Sequence, residues 1–231
     1  MGQAVAFCRG HWQLLALSVL IAVLWQTPLV LPLKILVVFL HEVSHVLATV
    51  LTGGEVLSLT LDPREGGMVI SRGGNRFMTL SAGYTGSLMI GAMLFLLALR
   101  TTWDRLILAA LGIVLIIVCA LYIRSWFALG FTCVMALSML LAARFLGREA
   151  NDLILRVIGL TSMIYVPLDI FSDTIARSHL RSDAYMLAEE FGGSTMFWGV
   201  IWLLISLAVI CPIFWRGLGA NSNIRPRHSK A

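Results

Sequence analysis

Residues 29–51 read LVLPLKILVVFLHEVSHVLATVL, and nearly everything about the fold follows from this run. As a helix rising 1.5 Å per residue it is long enough to cross a hydrocarbon core of roughly 30 Å. Its second half nevertheless carries His41, Glu42 and His45. An ionisable side chain at the centre of a membrane helix costs on the order of 2.5–3.5 kcal/mol on insertion scales, so intramembrane groups of this kind mark function by default. Residues four apart share a helix face, and His41 and His45 can therefore offer imidazole nitrogens to one ion at about 2.0–2.1 Å. Glu42, three residues before His45, leans over the same face. A carboxylate there can take a proton from a water that a divalent ion has acidified towards a pKa of about 7. The competing account of the cluster is an interhelical hydrogen-bond network without a metal.

Working outward, the composition agrees with a membrane chain. Of 231 residues 59% are hydrophobic and 13% charged, against roughly 45–50% and 25% in soluble domains; the mean hydropathy is +0.90. Apolar runs fall at about 12–26, 29–51, 79–99, 104–122, 126–144, 153–171 and 196–215. Unbroken runs of this length fit helices rather than the short alternating strands of a barrel, because a spanning helix satisfies its own backbone. The expected fold class is an all-α polytopic membrane protein with about 6–7 transmembrane helices. The formal charge of +5 is scattered through short loops rather than gathered on a basic, aromatic-laced face, so no nucleic-acid partner is expected. The cysteines (Cys8, Cys119, Cys133, Cys211) form no CxxC pair and do not fix a redox compartment. The apolar stretch from Trp12 has no small-residue cleavage site after it and is read as a retained first helix.

One connection stands apart. Between Gly53 and Thr79 lie Gly53-Gly54, Asp62-Pro63, Gly66-Gly67 and Gly73-Gly74, with strand-like pieces such as Val56 to Leu61 and Met68 to Ile70 between them. This pattern predicts one or two β-hairpins directly after the His41 helix, and connections this long are often functional. The polar stretch from Asp173 to Thr195, with Asp183, Glu189, Glu190 and Gly192-Gly193, reads as an exposed connection holding a short helix. Gly83, Gly86, Ser87 and Gly91 open the third span as small residues suited to close helix packing, with Tyr84 or Ser87 available for a polar contact to substrate.

A catalytic zinc usually takes three protein ligands. Asp169 and Asp173, four apart at the end of the sixth span, are the candidates for the third, and the sequence leaves the choice between them open. His179 sits between Arg177 and Arg181 in a polar loop and reads as solvated, and His11 and His228 lie near the termini.

These residues resemble the site-2 protease type of intramembrane zinc metallopeptidase. That family has a membrane-embedded HExxH helix, a β-rich connection, a Gly-containing helix, and a later helix with an L-D-G motif whose Asp is the third zinc ligand. His41, Glu42 and His45 match the first motif in full. Leu168-Asp169 matches the first two letters of the second, with Ile170 in place of Gly. The Asn and two Pro that typical members place before that Asp are here Thr161, Ile164 and Val166, with Pro167 shifted. The chain looks closer to a compact divergent branch in which the D-x-x-x-D-x-I run and a later Ser182-Asp183-Ala184 recur. The resemblance covers roughly residues 30–185. It implies His41, His45 and Asp169 (or Asp173) around Zn2+, Glu42 as general base, and a hairpin edge that holds an unwound substrate by β-augmentation.

The chain is thus expected to be one integral multi-pass membrane domain over 1–231. Its zinc-site core would span about 30–185, with extra helices at 12–26 and 196–215 and a basic tail at 216–231. In a bacterium it would sit in the cell membrane. The expected activity is zinc-dependent hydrolysis of peptide bonds in a membrane protein or peptide substrate, with the lipid bilayer as its other partner. The alternatives are a metal-binding membrane transporter or carrier, whose polar path the spans hardly supply, and a non-catalytic relative that binds membrane partners, for which Glu42 has no use.

Overall fold

The computed structural model describes residues 2–224; Arg225, Arg227 and Lys230 of the basic tail lie outside them. The described residues form eight α-helices and one two-stranded sheet: α1 (Gly2–Leu24), α2 (Leu31–Leu51), β1 (Glu55–Asp62), β2 (Gly66–Arg72), α3 (Arg76–Arg100), α4 (Asp104–Tyr122), α5 (Trp126–Phe145), α6 (Arg148–Phe171), α7 (Asp183–Phe191) and α8 (Thr195–Pro212). Seven helices are long and apolar enough to cross a membrane, as the apolar runs predict. The chain is an integral, multi-pass membrane protein of all-α class with a small β-hairpin after α2.

Two spans run further than the hydropathy suggests. The first extends back through Cys8 to Gly2, with a kink at His11 (φ −134°, ψ 16°). The sixth starts at Arg148 rather than near Leu153 and continues through a π-helical turn, Ser172–Ala176. Its polar first turns are hidden by pairing: Arg148 Nε donates to Asp104 Oδ2 at 2.8 Å, and Arg156 makes a two-pronged contact with Asp152 at 2.7 and 2.8 Å. Arg156 also donates to the carbonyl of Ser222, whose hydroxyl meets His11 Nδ1 at 2.7 Å, so the C-terminal segment is pinned against the kink of α1.

The core is the bundle of α2, α3 and α6. Of the described helices α2 is the most deeply buried, with Leu36, Phe39 and Leu40 at 0–2% exposure. Close approach is made by small residues: Gly91 of α3 faces Ser162 of α6, and a Cβ at Gly159 would stand 2.6 Å from Phe95 Cβ. Ser162 Oγ donates across the same contact to the carbonyl of Ser87 at 2.8 Å.

The hairpin does not project away from the bundle. It folds back along α2: Gly67 lies against Glu42, and at the tip Glu65 pairs with Lys34 Nζ at 3.2 Å, in the first turn of α2. Eight strand residues at about 3.3 Å each match the roughly 25 Å from Leu51 back to Lys34. Irregular backbone at this depth is tolerated where it is buried in protein or lines a cavity. Both conditions hold: Leu59 and Leu61 are buried and Leu59 bridges to Ile123 between α4 and α5, while β2, which has no strand partner on its second side among the described residues, lines a cavity. A bulge at Leu57, between the pairs Val56–Ser71 and Ser58–Ile70, resets the alternation so that Leu59 and Leu61 point inward.

Candidate metal centre

His41 stands ten residues from each end of α2, so its Cα lies about 15 Å from either end, at the middle of the span. His41 and His45 rise from one face of α2 with ring centroids 4.7 Å apart. Their Nε2 atoms converge on one oxygen, Asp183 Oδ2, at 2.9 and 3.1 Å. The three donor atoms form the group of His, Cys, Asp and Glu that satisfies metal-binding spacing among the described residues.

The third donor atom of this group comes from Asp183, in a stretch read from sequence as exposed. That reading is corrected at this point: Asp183, Ala184 and Leu187 form the buried face of α7. Ser182 caps the helix by accepting from Tyr185 N–H, which fixes Asp183 in its first turn. Arg76 Nε and Glu190 Oε1 pair at 3.1 Å, and Phe77 packs edge-on against Phe191, so α7 is docked on the start of α3 with Asp183 beneath it. Burial alone would push the Asp183 carboxyl up; the two imidazoles, His45 foremost, override it and hold the group well below the usual carboxylate range.

Asp169 and Asp173 stand on another wall of the same cavity. Asp169 is outside the converging group. Asp173 is spoken for: its Oδ2 accepts from the Tyr84 hydroxyl at 2.5 Å and its Oδ1 from Arg177 at 2.8 Å. The signal for Asp183 was the Ser182-Asp183-Ala184 recurrence, which carried no geometry. Its nearness to His41 links positions 142 residues apart and has no local trace. His179 is exposed, in keeping with its reading as solvated.

The donor set fits zinc in kind, two imidazole nitrogens and a carboxylate oxygen. Tetrahedral bonds of about 2.0–2.1 Å put donor atoms roughly 3.3 Å apart, a few tenths beyond the observed 2.9 and 3.1 Å. Small side-chain rotations make up that difference. His45 Nδ1–H donates to the carbonyl of Thr79 at 2.7 Å, which turns Nε2 towards Asp183 and frees its lone pair for a cation.

Glycines bring the neighbouring walls onto the site. A Cβ at Gly83 of α3 would stand 2.5 Å from His41 Cε1 and 2.7 Å from His45 Cε1. One at Gly67 of β2 would stand 2.7 Å from Glu42 Cγ. Glu42 is buried between the imidazoles and β2, and it opens on a cavity of about 660 Å³ lined by most of β2 on one side and by Asp169, Asp173 and Asp183 on the others.

The comparisons agree with this architecture. A family model described as Peptidase M50B-like matches residues 14–213. The chain belongs to that family. It is a site-2 protease family, so the chain is a membrane protein of peptidase lineage, as the HExxH helix and its setting lead one to expect. Neither the curated proteins nor the solved structures gave a match. The family match spans all seven long apolar helices at least in part, so α4 and α5, which lie between the site-bearing helices, belong to the matched region.

Proposed function

We propose that the protein is an intramembrane zinc endopeptidase in which His41, His45 and Asp183 hold the metal and Glu42 is the general base. The observation that carries the reading is the convergence of two imidazole nitrogens and one carboxylate oxygen at mid-span, beside a buried Glu on a cavity walled by an unpaired strand edge. Zinc at this position would supply Lewis-acid polarisation of the scissile carbonyl and a water acidified towards neutral pH.

The chain's own residues do the rest. Glu42 takes the proton of the attacking water and returns it to the departing amine, the two-way transfer that a carboxylate within hydrogen-bond reach performs. Thr79 holds His45 in the tautomer that leaves Nε2 free. β2 offers backbone donors and acceptors along the cavity wall, so a substrate segment unwound from its own helix can lie beside it as an added strand. Such unwinding is needed because a helix turns its carbonyls into its own hydrogen bonds. Gly67 lets β2 lie directly against Glu42, so a strand added to β2 runs close to the base. The substrates are membrane-anchored proteins or peptides, and the cut falls at or near the depth of His41.

Zinc per chain in detergent-purified protein tests the site. The wild type is expected to hold about one, Asp183→Ala and His45→Ala to lose it, and Asp169→Ala and Asp173→Ala to keep it. Glu42→Gln is expected to keep the zinc and lower cleavage of a single-span reporter in proteoliposomes by about 10²–10⁴-fold. Zinc lost with Asp169 instead of Asp183 would reassign the third ligand. Undiminished cleavage in Glu42→Gln, or a folded wild type that takes up no zinc, would defeat the enzymatic reading.

A further inference from the structure

The two imidazoles are oriented by different means. His45 has an outer partner of the usual kind, the Thr79 carbonyl at 2.7 Å. Among the described residues His41 has a hydrogen-bond contact only through Nε2, with Asp183. Its ring plane is set instead by Tyr84, which meets it edge-to-face with centroids 4.7 Å apart and an interplanar angle of 84°. Tyr84 is 2% exposed, and its ring is backed by Trp202 of α8 at 4.9 Å. Its hydroxyl donates to Asp173 Oδ2 at 2.5 Å, and Asp173 is itself steadied by Arg177 at 2.8 Å. The phenol is therefore held at its ring by α8 and at its oxygen by the π-helical turn that follows α6.

Resting on the reading of this site as a metal centre, we propose that Tyr84 is the positioning residue for His41 and that Asp173 is its anchor. The chain Asp173–Tyr84–His41 does for the first imidazole what the Thr79 carbonyl does for the second. It also gives Asp173 a role outside the ligand set: its two oxygens are occupied by a phenol and a guanidinium, and it acts on the centre through Tyr84. Partners of this outer kind typically alter metal affinity by about 10–100-fold when removed. The ring and the hydroxyl make separable contributions, because the ring touches His41 while the hydroxyl only fixes the ring.

Cobalt(II) titration of the full chain in detergent reads both contributions, through the dissociation constant and through the visible absorption of the saturated protein, which follows ligand geometry. Tyr84→Leu removes the ring and is expected to weaken cobalt binding about 10–100-fold and to change the shape of the absorption bands at saturation. Tyr84→Phe restores the ring and recovers most of that affinity, with a smaller band shift that Asp173→Asn reproduces. A merely destabilised fold lowers the melting temperature but leaves the spectrum of the saturated protein as in the wild type, so the band shape separates positioning from stability. Wild-type affinity and spectrum in Tyr84→Leu would overturn the proposal, as would a complete loss of cobalt in Asp173→Asn, which would make Asp173 a ligand. A folded wild type that takes up no cobalt would remove the metal centre itself and with it the reading under which Tyr84 positions a ligand.

Discussion

Replacing Gly83 with Ala puts the packing of α3 on the site to a sharp test, because it adds one methyl group at the point where two metal-ligand candidates crowd a helix backbone. The new Cβ would stand 2.5 Å from His41 Cε1 and 2.7 Å from His45 Cε1, where carbon contacts normally lie at about 3.5–4.0 Å. One or both rings must retreat by roughly 0.8–1 Å, or α3 must lift from α2. A misplacement of about 1 Å costs on the order of 10²-fold where geometry is tight. Stability changes less, because Ala in place of Gly favours a helix by up to about 1 kcal/mol, offsetting part of an overpacking cost of about 1–3 kcal/mol. The expected result is a modest loss of thermal stability with zinc affinity down by about 100-fold, measured by competition with a fluorescent chelator. Gly130→Ala in α5 is the control, since a Cβ there meets nothing within 4 Å, and it should leave zinc affinity unchanged. If Gly83→Ala bound zinc as tightly as the wild type, His41 and His45 would not be the ligands that α3 presses upon, and the description of the centre would fail.

Gly67→Ala places its Cβ against Glu42, 2.7 Å from Cγ, and spares the imidazoles; turnover should fall about 10–100-fold with zinc retained, and a matching loss of zinc would contradict the separation of base from ligands. Lys34→Ala leaves the partly buried Glu65 without its cation, 3.2 Å away in the wild type. Hydrogen exchange at the hairpin tip should then quicken by about ten-fold or more, and unchanged protection would show that the tip is held by other contacts. Arg156→Ala leaves Asp152 unpaired beside the C-terminal segment; removing one partner of a buried pair costs about 3–5 kcal/mol, so the melting temperature should drop clearly while zinc per chain at low temperature stays as in the wild type.

How far these features can be read from sequence depends on the separation of the parts. The spans were legible because each is a local run of apolar residues, and HExxH was legible because a helix turn alone brings His41 and His45 together. The hairpin was legible as turns and strands, but its insertion along α2 was not. That insertion rests on the Lys34–Glu65 pair and on the fit of Gly67 to Glu42, two relations between distant residues that composition does not encode. The early start of α6 was hidden for a related reason: Arg148 and Asp152 look like loop residues until they are seen to pair with Asp104 and Arg156. Asp183 shows the limit most clearly. A carboxylate at the end of an apolar run attracts attention, whereas one on a short polar helix does not, although α7 buries that one against the imidazoles.

The division of the site between two kinds of element has a physical rationale. His41, Glu42 and His45 stand on a span packed along its length by α3, the hairpin and α6, so their backbone is fixed. Asp183 comes from α7, which begins after the sixth span and leads into Gly192-Gly193 with φ of 85° and 86°. Taking the carboxylate from outside the spans spares the chain a further charged residue at the helix centre, where insertion costs about 2.5–3.5 kcal/mol. It also solves the supply of water. The cavity that reaches Glu42 is bordered by Arg76, Arg177, Arg181 and Ser182, side chains near the span ends, so a polar path leads from the surface to the middle of the bundle. Under the proposed function, a hydrolytic site at the level of His41 needs both that path and a wall that holds an extended chain beside it. The α7 side provides the first and β2 the second, and the three residues of the HExxH motif lie between them.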